Sequence, residues 1–376
     1  MPHNMDGIIK NIIGNKQFST KSKFKNTLYY YARKRGAKKS WEKRHQKVFD
    51  WNSSYNTPCE SDIESEHQMK WSSFSKEVDL STLRICKNIS GRADPRIIPE
   101  DIFVSDIEPT LVADESVHFL SHKSFYNRWF PDGVFPSDIF HNIDGQYLDS
   151  QLNPISFQEL KRQAGSIVYP VVMKPNKDSF GGKDVFFIEN VEDLINHCEK
   201  SDNFVVQEQL PQHAFFKKYN PVGLNTIRVY VYKSVKDNRP HILNMALRMG
   251  KGGSLDNLST GGIQTMIRKD GSLNGYAVDK YGTKYAEHPD SGYSFDEMIP
   301  DLENMKELSL RIASQIHFTR IIGLDLCYAE NSQWRLIEVN TKGHSIRFSQ
   351  YGGQPFFGVF TDEVIDYCKK YHWALI

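Results

Sequence analysis

Two stretches near the C-terminal end alternate apolar and polar residues with the period of two that is typical of β-strands. They are 323–329 (GLDLCYA) and 334–340 (WRLIEVN), and the four residues between them are polar and turn-prone. This pattern predicts a β-hairpin. Because side chains alternate faces along a strand, Glu338 and Asn340 point the same way, and Asp325 on the partner strand can point to that face too.

These three oxygen-bearing side chains form a candidate metal site at one end of a sheet. Mg²⁺ prefers hard oxygen ligands and is commonly held by phosphate oxygens as well as protein carboxylates. The alternative is an ordinary hairpin whose polar positions are solvated. The metal interpretation is favoured because Glu338 interrupts an otherwise apolar strand, where an unpaired buried charge would be costly.

The same periodicity predicts a chain of mixed strands and helices before and after this hairpin. The predicted strands are 166–175, 185–188, 203–210, 225–232, 241–249 and 263–267, and the predicted helices are 121–130, 191–200, 301–317 and 360–371. The first strand ends in Lys174, because Pro175 cannot donate to a ladder. Lys123 lies in the first turn of its helix, where its charge opposes the helix dipole. Such a lysine is either solvated or offset by an anion such as a phosphate.

Two glycine-rich segments lie between the predicted strands. In 176–184 (NKDSFGGKD), two adjacent glycines would let backbone N–H groups approach phosphate oxygens, although a plain Gly-Gly turn explains the sequence equally well. The segment matches neither a P-loop nor a GxGxxG motif. The second, 250–262, contains Asn257 and lies beside two arginines on strands, Arg228 and Arg248. These arginines form either surface ion pairs or guanidinium forks for a carboxylate or phosphate.

Composition restricts the class of protein. The 376 residues are 39% hydrophobic and 25% charged, which predicts a globular chain of two or three domains. A net charge of +1 implies no global polyelectrolyte partner, and no nucleic acid is expected. The chain has five scattered cysteines, no apolar run that could cross a bilayer and no secretion signal at its start. These features predict a cytoplasmic protein with free thiols.

The first fifty residues differ from the rest of the chain. Lysine and arginine recur from Lys16 to Lys47 among many aromatic residues, and Glu42 is the only acid between them. Either a basic helix touches an anionic membrane surface or a polymer through residues 15–50, or a helical extension packs on the main body with its basic face solvated. The following segment, 52–68, is predicted to be a linker.

The order of these segments resembles that of the ATP-grasp superfamily. More narrowly, the sequence is similar to the sugar-transfer-associated ATP-grasp family over roughly residues 100–365. The motifs that carry this resemblance are 206–208 (VQE), 225–228 (NTIR), 247–248 (LR), 256–257 (DN), 261–262 (GG), 288–292 (HPDSG), 323–325 (GLD) and 338–340 (EVN).

The resemblance implies an α+β ATP-grasp fold, in which two α+β subdomains clasp ATP, with a basic helical extension at the N-terminus. The implied parts are 1–68, the extension and linker; 69–170, an N-terminal α/β region; 171–212, the nucleotide-binding subdomain with its glycine-rich loop; and 213–376, the C-terminal subdomain with the metal site.

The resemblance also implies roles for individual residues. ATP phosphates would be held by Lys123, Lys174, Ser179, Gly181, Gly182 and Lys183, and the adenine by Gln207, Glu208 and the backbone of Leu210. One or two Mg²⁺ ions, with Mn²⁺ as a substitute, would lie on Asp325, Glu338 and Asn340. Arg228 and Arg248 would steady the substrate carboxylate or the acylphosphate, and Asn257 would lie nearby as the third candidate catalytic residue. Position 207 holds Gln where an acid is usual, which leaves open whether Gln207 or Glu208 faces the nucleotide.

The activity implied by the resemblance is that of an ADP-forming ligase. A carboxylate is activated as an acylphosphate, and an amine or a related nucleophile then displaces the phosphate. The expected partners are small molecules, such as an amino acid with a uronic acid or sugar nucleotide in surface polysaccharide biosynthesis, at the cytoplasmic membrane face if the basic helix touches it. A kinase for hydroxyl groups and a non-catalytic nucleotide-binding module are the alternatives. His288 and His344 are either proton carriers or structural residues.

Overall fold

Two antiparallel β-sheets carry the predicted strands, in a computed structural model that describes residues 7–177, 184–253 and 261–376. The strands are β1 (Asp138–Ile143), β2 (Gln146–Asp149), β3 (Val171–Pro175), β4 (Phe186–Ile188), β5 (Phe204–Glu208), β6 (Thr226–Lys233), β7 (Pro240–Met249), β8 (Ile263–Ile267), β9 (Ala277–Val278), β10 (Lys284–Tyr285), β11 (Ile321–Tyr328) and β12 (Trp334–Asn340). The smaller sheet has the order β2-β1-β5-β3-β4, and the larger one β10-β9-β8-β7-β6-β11-β12. The predicted C-terminal hairpin is the β11–β12 pair, and the α+β class is confirmed.

Helices precede and cover the sheets. They are α1 (Gly7–Gly14), α2 (Thr20–Trp51), α3 (Ser61–Trp71), α4 (Ser81–Ser90), α5 (Glu100–Ile102), α6 (Glu108–Leu111), α7 (Tyr126–Trp129), α8 (Phe157–Ala164), α9 (Val191–Lys200), α10 (Ala214–Lys217), α11 (Leu302–Ser314), α12 (Arg347–Gln350) and α13 (Thr361–Lys370). Short 3₁₀ turns lie at Ser53–Asn56, Glu115–Ser121, Lys123–Phe125, Gly358–Phe360 and Trp373–Leu375, and a π turn at Phe103–Ile107.

Three local predictions differ from the structure. The segment 52–68 is not a plain linker, because it contains a 3₁₀ turn and the start of α3. The helix predicted at 121–130 is broken into a short 3₁₀ turn and α7, so Lys123 starts a turn rather than a continuous helix. Strand β1 pairs with β5, so residues 138–149 belong to the smaller sheet although they precede the boundary predicted at 170.

Each sheet has one apolar face, and part of its other face carries polar residues; on that second face of the larger sheet, Tyr230 and Tyr232 pack in a further core with Phe356 and Phe357. In the larger sheet, Ile227, Val229 and Val231 of β6 pack in a core with α11, whereas the alternate residues point to the opposite face. In the smaller sheet, Val171 and Met173 of β3 pack in a core with α8 and α9. The alternate positions on β3 and β5 are therefore free to face a cavity between the sheets.

The basic helix α2 packs on the main body along one stripe. Its buried residues, at helical spacing, are Tyr30, Ala37, Trp41, His45 and Val48. The Tyr30 hydroxyl donates to Asp106 Oδ1 at 3.1 Å, and beyond the helix the Tyr55 hydroxyl donates to the carbonyl of Gly282 at 2.8 Å. This is the arrangement that the packed alternative predicts. Within the described residues, no helix is both long and apolar enough to cross a membrane.

A buried polar cluster fixes the middle of α2. His45 Nε2 lies 3.1 Å from Glu100 Oε2, and its Nδ1 lies 3.3 Å from Asp79 Oδ2. Thr82 also donates a hydrogen bond to Glu100. Burial alone would lower the pKa of His45, but the hydrogen bonds to Asp79 and Glu100 outweigh it and raise the pKa to about 9. The protonated imidazolium therefore holds α2 against the segments that contain Asp79 and Glu100.

We expect the stability of the protein to fall as the pH rises through about 9, because His45 then loses the proton that pairs it with Glu100. This contribution is fully present below the unfolded-state pKa of about 6.5. His45→Gln should lower the free energy of unfolding by roughly 3–5 kcal/mol at pH about 6.5 and flatten this pH dependence. Urea unfolding at several pH values measures both effects. The exposed His317→Gln is the control, and a pH dependence unchanged in His45→Gln would contradict the assignment.

Candidate active site

A cavity of about 990 Å³ lies between the two sheets. Every predicted site residue within the described part of the chain lines it: Lys123, Lys174, Gln207, Glu208, Leu210, Arg228, Arg248, Asp325, Glu338 and Asn340. The predicted residues Ser179, Gly181, Gly182, Lys183 and Asn257 lie outside the described residues. Residues separated by up to 217 positions, from Lys123 to Asn340, thus meet in one place.

Strand register places the polar residues of the larger sheet together. Asp325 on β11 lies opposite Arg228 on β6 and opposite Glu338 on β12. Directly opposed residues share a face of an antiparallel sheet, so all three side chains point into the cavity. Gly323 lies on the same face, and a Cβ there would be 3.3–3.4 Å from Tyr230, Arg228 and Asn340. The missing side chain therefore leaves room for the polar residues around it.

Asp325 is the centre of a charge network. Arg228 donates to both of its oxygens through one guanidinium edge, from Nε to Oδ1 and from Nη2 to Oδ2 at 2.7 Å, and Arg248 Nη1 lies 3.2 Å from Oδ1. Asn340 donates to Oδ2 at 3.3 Å. Burial would raise the pKa of Asp325, but the two arginines hold it below its usual range. The carboxylate is therefore ionised, and it orients both guanidinium groups.

Lys123 pairs with the second carboxylate of the site. Its Nζ lies 2.8 Å from Glu338 Oε1, and the lysine side chain is buried. The turn that carries Lys123 contacts both sheets. Its backbone is held by Asn176, which follows β3, at 2.9 Å, and the Tyr126 hydroxyl exchanges hydrogen bonds with the backbone of Val339 on β12 at 3.2–3.3 Å. The solvated alternative for Lys123 is therefore wrong in this structure.

Lys174 on β3 is a buried residue whose ammonium has no acidic partner in the part of the chain that the structure describes. Among residues 7–177, 184–253 and 261–376, none makes a hydrogen bond or an ion pair with its Nζ. Burial, and then the neighbouring charge of Lys123, lower the pKa of Lys174 to about 8. A buried charge in this state is costly unless an anion completes its surroundings. The position therefore favours an anionic ligand in the cavity.

Gln207 and Glu208, the last two residues of β5, have different surroundings. Gln207 is buried and donates to Asp138 Oδ1 at 2.7 Å, which leaves its Oε1 without a partner in the described part of the chain. Glu208 Oε1 accepts from the Ser137 backbone and from Arg335, both at 2.9 Å. Burial would raise the pKa of Glu208, but these contacts hold it below its usual range. Gln207 thus offers an unused acceptor, and Glu208 is an ionised anchor.

A β-bulge adds an apolar residue to the site. Asp325 pairs with Glu338, but the next residue, Leu326, pairs with Leu336, so Ile337 is extra on β12. Ile337, Val172 and Leu210 all line the cavity. They supply an apolar surface suited to a flat ring near the Gln207 acceptor.

The two candidate histidines form hydrogen bonds within the fold and lie outside the lining of the cavity. His344 Nδ1 lies 2.9 Å from Glu108 Oε1, and its Nε2 lies 3.2 Å from the carbonyl of Asn340. His288 Nε2 lies 2.9 Å from the carbonyl of Gly250. Neither belongs to the lining of the cavity. The structural alternative explains both contacts without a proton transfer.

Sequence reasoning missed several basic residues of this cavity. Among the described residues, the lining contains ten Lys or Arg side chains and four Asp or Glu side chains, although the whole chain has a net charge of only +1. The missed members are Arg44, Lys47, Lys217, Lys280, Lys342 and Arg347. The basic run of α2 was visible in the sequence, but only the packed stripe of Trp41 and His45 shows which of its residues reach the cavity.

The candidate metal ligands are fewer than a complete coordination sphere. In the part of the chain that is described, no group of three or more His, Cys, Asp or Glu residues could hold a metal ion. Asp325, Glu338 and Asn340 instead provide two carboxylates and an amide, as suits Mg²⁺ that also takes water and phosphate oxygens. The five cysteines are all buried free thiols, as predicted, and none lines the cavity.

A family described as sugar-transfer associated ATP-grasp matches residues 142–359, which is more than half of the chain. The sequence has no significant match among curated proteins. Several solved structures are similar in shape. N5-carboxyaminoimidazole synthase from Aspergillus clavatus, with ADP and 5-aminoimidazole ribonucleotide, is 10% identical with a TM-score of 0.39, and the match covers 66% of this chain and 52% of that one.

Two further solved structures have the same level of similarity. N5-carboxyaminoimidazole synthetase from Staphylococcus aureus with ADP is 12% identical, with a TM-score of 0.40 and coverage of 66% and 53% of the two chains. The ATP-grasp ligase PsnB, with a precursor variant, Mg and ADP, is 14% identical, with a TM-score of 0.40 and coverage of 68% and 61%. The match thus spans about half to three fifths of these chains.

We expect Asp325→Asn to lower the free energy of unfolding by roughly 3–5 kcal/mol, because Arg228 and Arg248 would then face each other without a carboxylate. Denaturant unfolding measures this change. Glu330→Gln, an exposed carboxylate at the same cavity, is the matched control and should change stability by no more than about 0.5 kcal/mol. Inorganic phosphate should partly restore Asp325→Asn, and a variant as stable as the parent would contradict the network.

Proposed function

This chain belongs to the sugar-transfer associated ATP-grasp family, and from that premise we propose that it is an ATP-dependent ligase. In the proposed reaction a carboxylate attacks the terminal phosphorus of ATP, and ADP leaves. An amine or related nucleophile then displaces phosphate from the acylphosphate. The observation that carries this proposal is the buried Lys174, whose ammonium has no partner among the described residues, in the cavity that also contains Asp325, Glu338 and Asn340.

The smaller sheet, the turn at Lys123 and Ile337 of the larger sheet together offer the groups that an ATP molecule needs. Lys174 and Lys123 would contact the phosphates, because a phosphate would supply the anion that the Lys174 surroundings lack. The free Gln207 Oε1 would accept from the 6-amino group of adenine, with Leu210 contributing its backbone. Val172 and Ile337 would cover the two faces of the base. The proposed nucleotide-binding subdomain therefore begins at β1 rather than at residue 171.

The donor set fits Mg²⁺, which ATP-grasp family members use together with ATP. Asp325, Glu338 and Asn340 would hold the ion, which supplies neutralisation of negative charge on the phosphates when bound. In this structure their charges are balanced instead by Arg228, Arg248 and Lys123. If Mg²⁺ were bound to the carboxylates, Arg228, Arg248 and Lys123 would be available to bind an anion.

The larger sheet provides the substrate contacts in this proposal. Arg228 and Arg248 would bind the substrate carboxylate and steady the acylphosphate, because planar guanidinium groups match both anions. Asp325 holds both arginines in orientation before the substrate arrives. Phosphoryl transfer depends on such preset charges more than on a nucleophilic side chain. No step in this scheme uses His288 or His344.

The family description mentions only sugar transfer, so the identities of the substrates are part of the proposal. We infer that one substrate is a sugar or uronic acid and that the other is an amine, such as an amino acid, in surface polysaccharide biosynthesis. Release of ADP can be screened over amino acids crossed with uronic acids and sugar nucleotides. A ligase forms ADP and free phosphate only when both substrates are present. A kinase would leave the phosphate on its product, and a binding module would release no ADP with any pair.

Lys174→Ala should weaken ATP binding roughly 10- to 100-fold and raise the KM for ATP by a similar factor, because the phosphates lose a buried ammonium. Titration calorimetry with ATP and Mg²⁺ measures the binding directly. Lys200→Ala is the control, since Lys200 is exposed at the end of α9, on the helix-covered side of the same sheet. Unchanged affinity in Lys174→Ala would remove this residue from the nucleotide site.

Glu338→Gln should abolish turnover while leaving the fold intact, because the amide keeps a hydrogen-bond acceptor for Lys123 but binds Mg²⁺ poorly. We expect a loss of roughly 10²-fold or more in kcat. The stabilisation of the nucleotide complex by added Mg²⁺, read from the thermal unfolding temperature, should shrink as well. Full activity, or an unchanged response to Mg²⁺, would exclude Glu338 from the metal site.

A further inference from the structure

The N-terminal helix α2 forms part of the wall of the candidate active site. Arg44, Lys47 and Val48 line the same cavity as Asp325 and Glu338. All three precede the family-matched segment, which starts at residue 142. The fixed position of this part of α2 follows from the adjacent His45, which the buried carboxylate of Glu100 holds at 3.1 Å. A part of the chain that the family description does not cover therefore contributes charge to the site.

Arg44 and Arg347 of α12 both lie beside the indole ring of Trp41. The guanidinium carbon of Arg44 lies 4.5 Å from the centroid of Trp41, and that of Arg347 lies 5.6 Å from the same ring. Arg347 also lies 4.5 Å from the ring of Phe348. Stacking on aromatic faces fixes the two guanidinium planes without using their N–H donors.

These donors have no acceptor within the described residues. Neither Arg44 nor Arg347 forms an ion pair or a hydrogen bond there, and Arg347 Nε is buried without a partner. Arg44 is exposed on one side; its partial burial, and then the charge of Arg347, lower its pKa, although Glu100 opposes this shift. Two like charges that repel each other beside a cavity, with a buried donor unused, are the surroundings that a bound anion would complete.

Lysines extend this basic surface. Lys47 on α2 and Lys342 in the loop after β12 are exposed, and both line the cavity. We call Arg44, Lys47, Lys342 and Arg347 the second basic cluster. Its four positive charges exceed what one carboxylate would need, and Arg forks match the paired oxygens of a phosphate. The cavity volume of about 990 Å³ is at the upper end for a single small ligand, so it leaves space beside a nucleotide.

A chain of contacts links the second basic cluster to the proposed chemistry. Arg228, which binds Asp325, also lies 3.4 Å from the Tyr230 hydroxyl through Nη1. That hydroxyl donates to the carbonyl of Ser345 at 3.0 Å, two residues before Arg347. A ligand held at Arg347 would therefore extend toward Arg228, where the substrate carboxylate is proposed to lie.

We propose that the second basic cluster binds the phosphate or diphosphate of a phosphorylated sugar substrate, so that the sugar carboxylate lies at Arg228 and Arg248. The substrate class is thus a sugar phosphate or a nucleoside diphosphate sugar rather than a free uronic acid. This inference rests on the proposed ligase function and names the substrate of the same cavity. It also gives α2 a role as a substrate-binding element.

The test compares three probes by titration calorimetry on the full chain, saturated with a non-hydrolysable ATP analogue and Mg²⁺. The probes are glucuronate, glucuronate 1-phosphate and UDP-glucuronate. The parent should bind both phosphorylated probes at least roughly 10-fold more tightly than glucuronate, because each hydrogen bond to a phosphate adds affinity. Tighter binding of UDP-glucuronate than of the sugar phosphate would indicate that the second basic cluster binds both phosphates of a diphosphate. Equal affinity for all three probes, or binding of none, would overturn the proposal.

The variants separate this inference from the proposed function. Arg44→Gln with Arg347→Gln should lose roughly 10- to 100-fold in affinity for the phosphorylated probes, keep its affinity for glucuronate and bind the ATP analogue as the parent does. Arg44→Lys with Arg347→Lys should recover part of the loss, since the charge returns without the fork. The exposed pair Lys39→Gln with Lys43→Gln is the matched control on α2. If the double glutamine variant bound the phosphorylated probes as the parent does, the second basic cluster would not be their binding site, and the ligase proposal would be unaffected. If the parent failed to bind the ATP analogue, the ligase proposal itself would be overturned.

Discussion

The balance of buried charge between the two sheets is the constraint that organises this molecule. Asp325 is ionised because Arg228 and Arg248 surround it, and Glu338 is paired with Lys123. An isolated carboxylate at either position would be costly in a cavity of this kind. Lys174 is the exception, because it is buried beside Lys123 and no described residue supplies an acid that pairs with it. Three cations thus face the two carboxylates, and Lys174 adds a further positive charge where a phosphate is proposed to bind.

The placement of the polar side chains on the hairpin could be predicted from alternation, because a period of two fixes which residues of a strand share a face. Asp325, Glu338 and Asn340 were assigned to one face in this way, and the register places them there. The residue-by-residue pairing of β11 with β12 could not be predicted from the sequence. Ile337 is an extra residue in β12, and nothing in the run WRLIEVN distinguishes a bulged strand from a regular one. Strand β1 was missed although Asp144 and Gly145 form a two-residue turn to its neighbour β2; only its pairing with β5, more than sixty residues away, lay beyond the local sequence.

The N-terminal helix shows a different limit of sequence reasoning. Its lysines and arginines were evident, but their function depends on which of them lie beside the cavity. That is decided by long-range contacts of Tyr30 with Asp106 and of His45 with Glu100. Helical periodicity predicts which residues of α2 are buried, but it does not predict which part of the fold they pack against. A basic helix can therefore look like a surface feature and still form one wall of an internal site.

The turn at Lys123 has a mechanical consequence. It is fastened to the smaller sheet through Asn176 and to the larger one through Tyr126 and Val339, within four residues of chain. Because one short segment is bonded to both sheets, the position of the Lys123 ammonium depends on both of them. The turn thus links Lys123, which is proposed to contact phosphate, to Glu338, which is proposed to hold the metal ion.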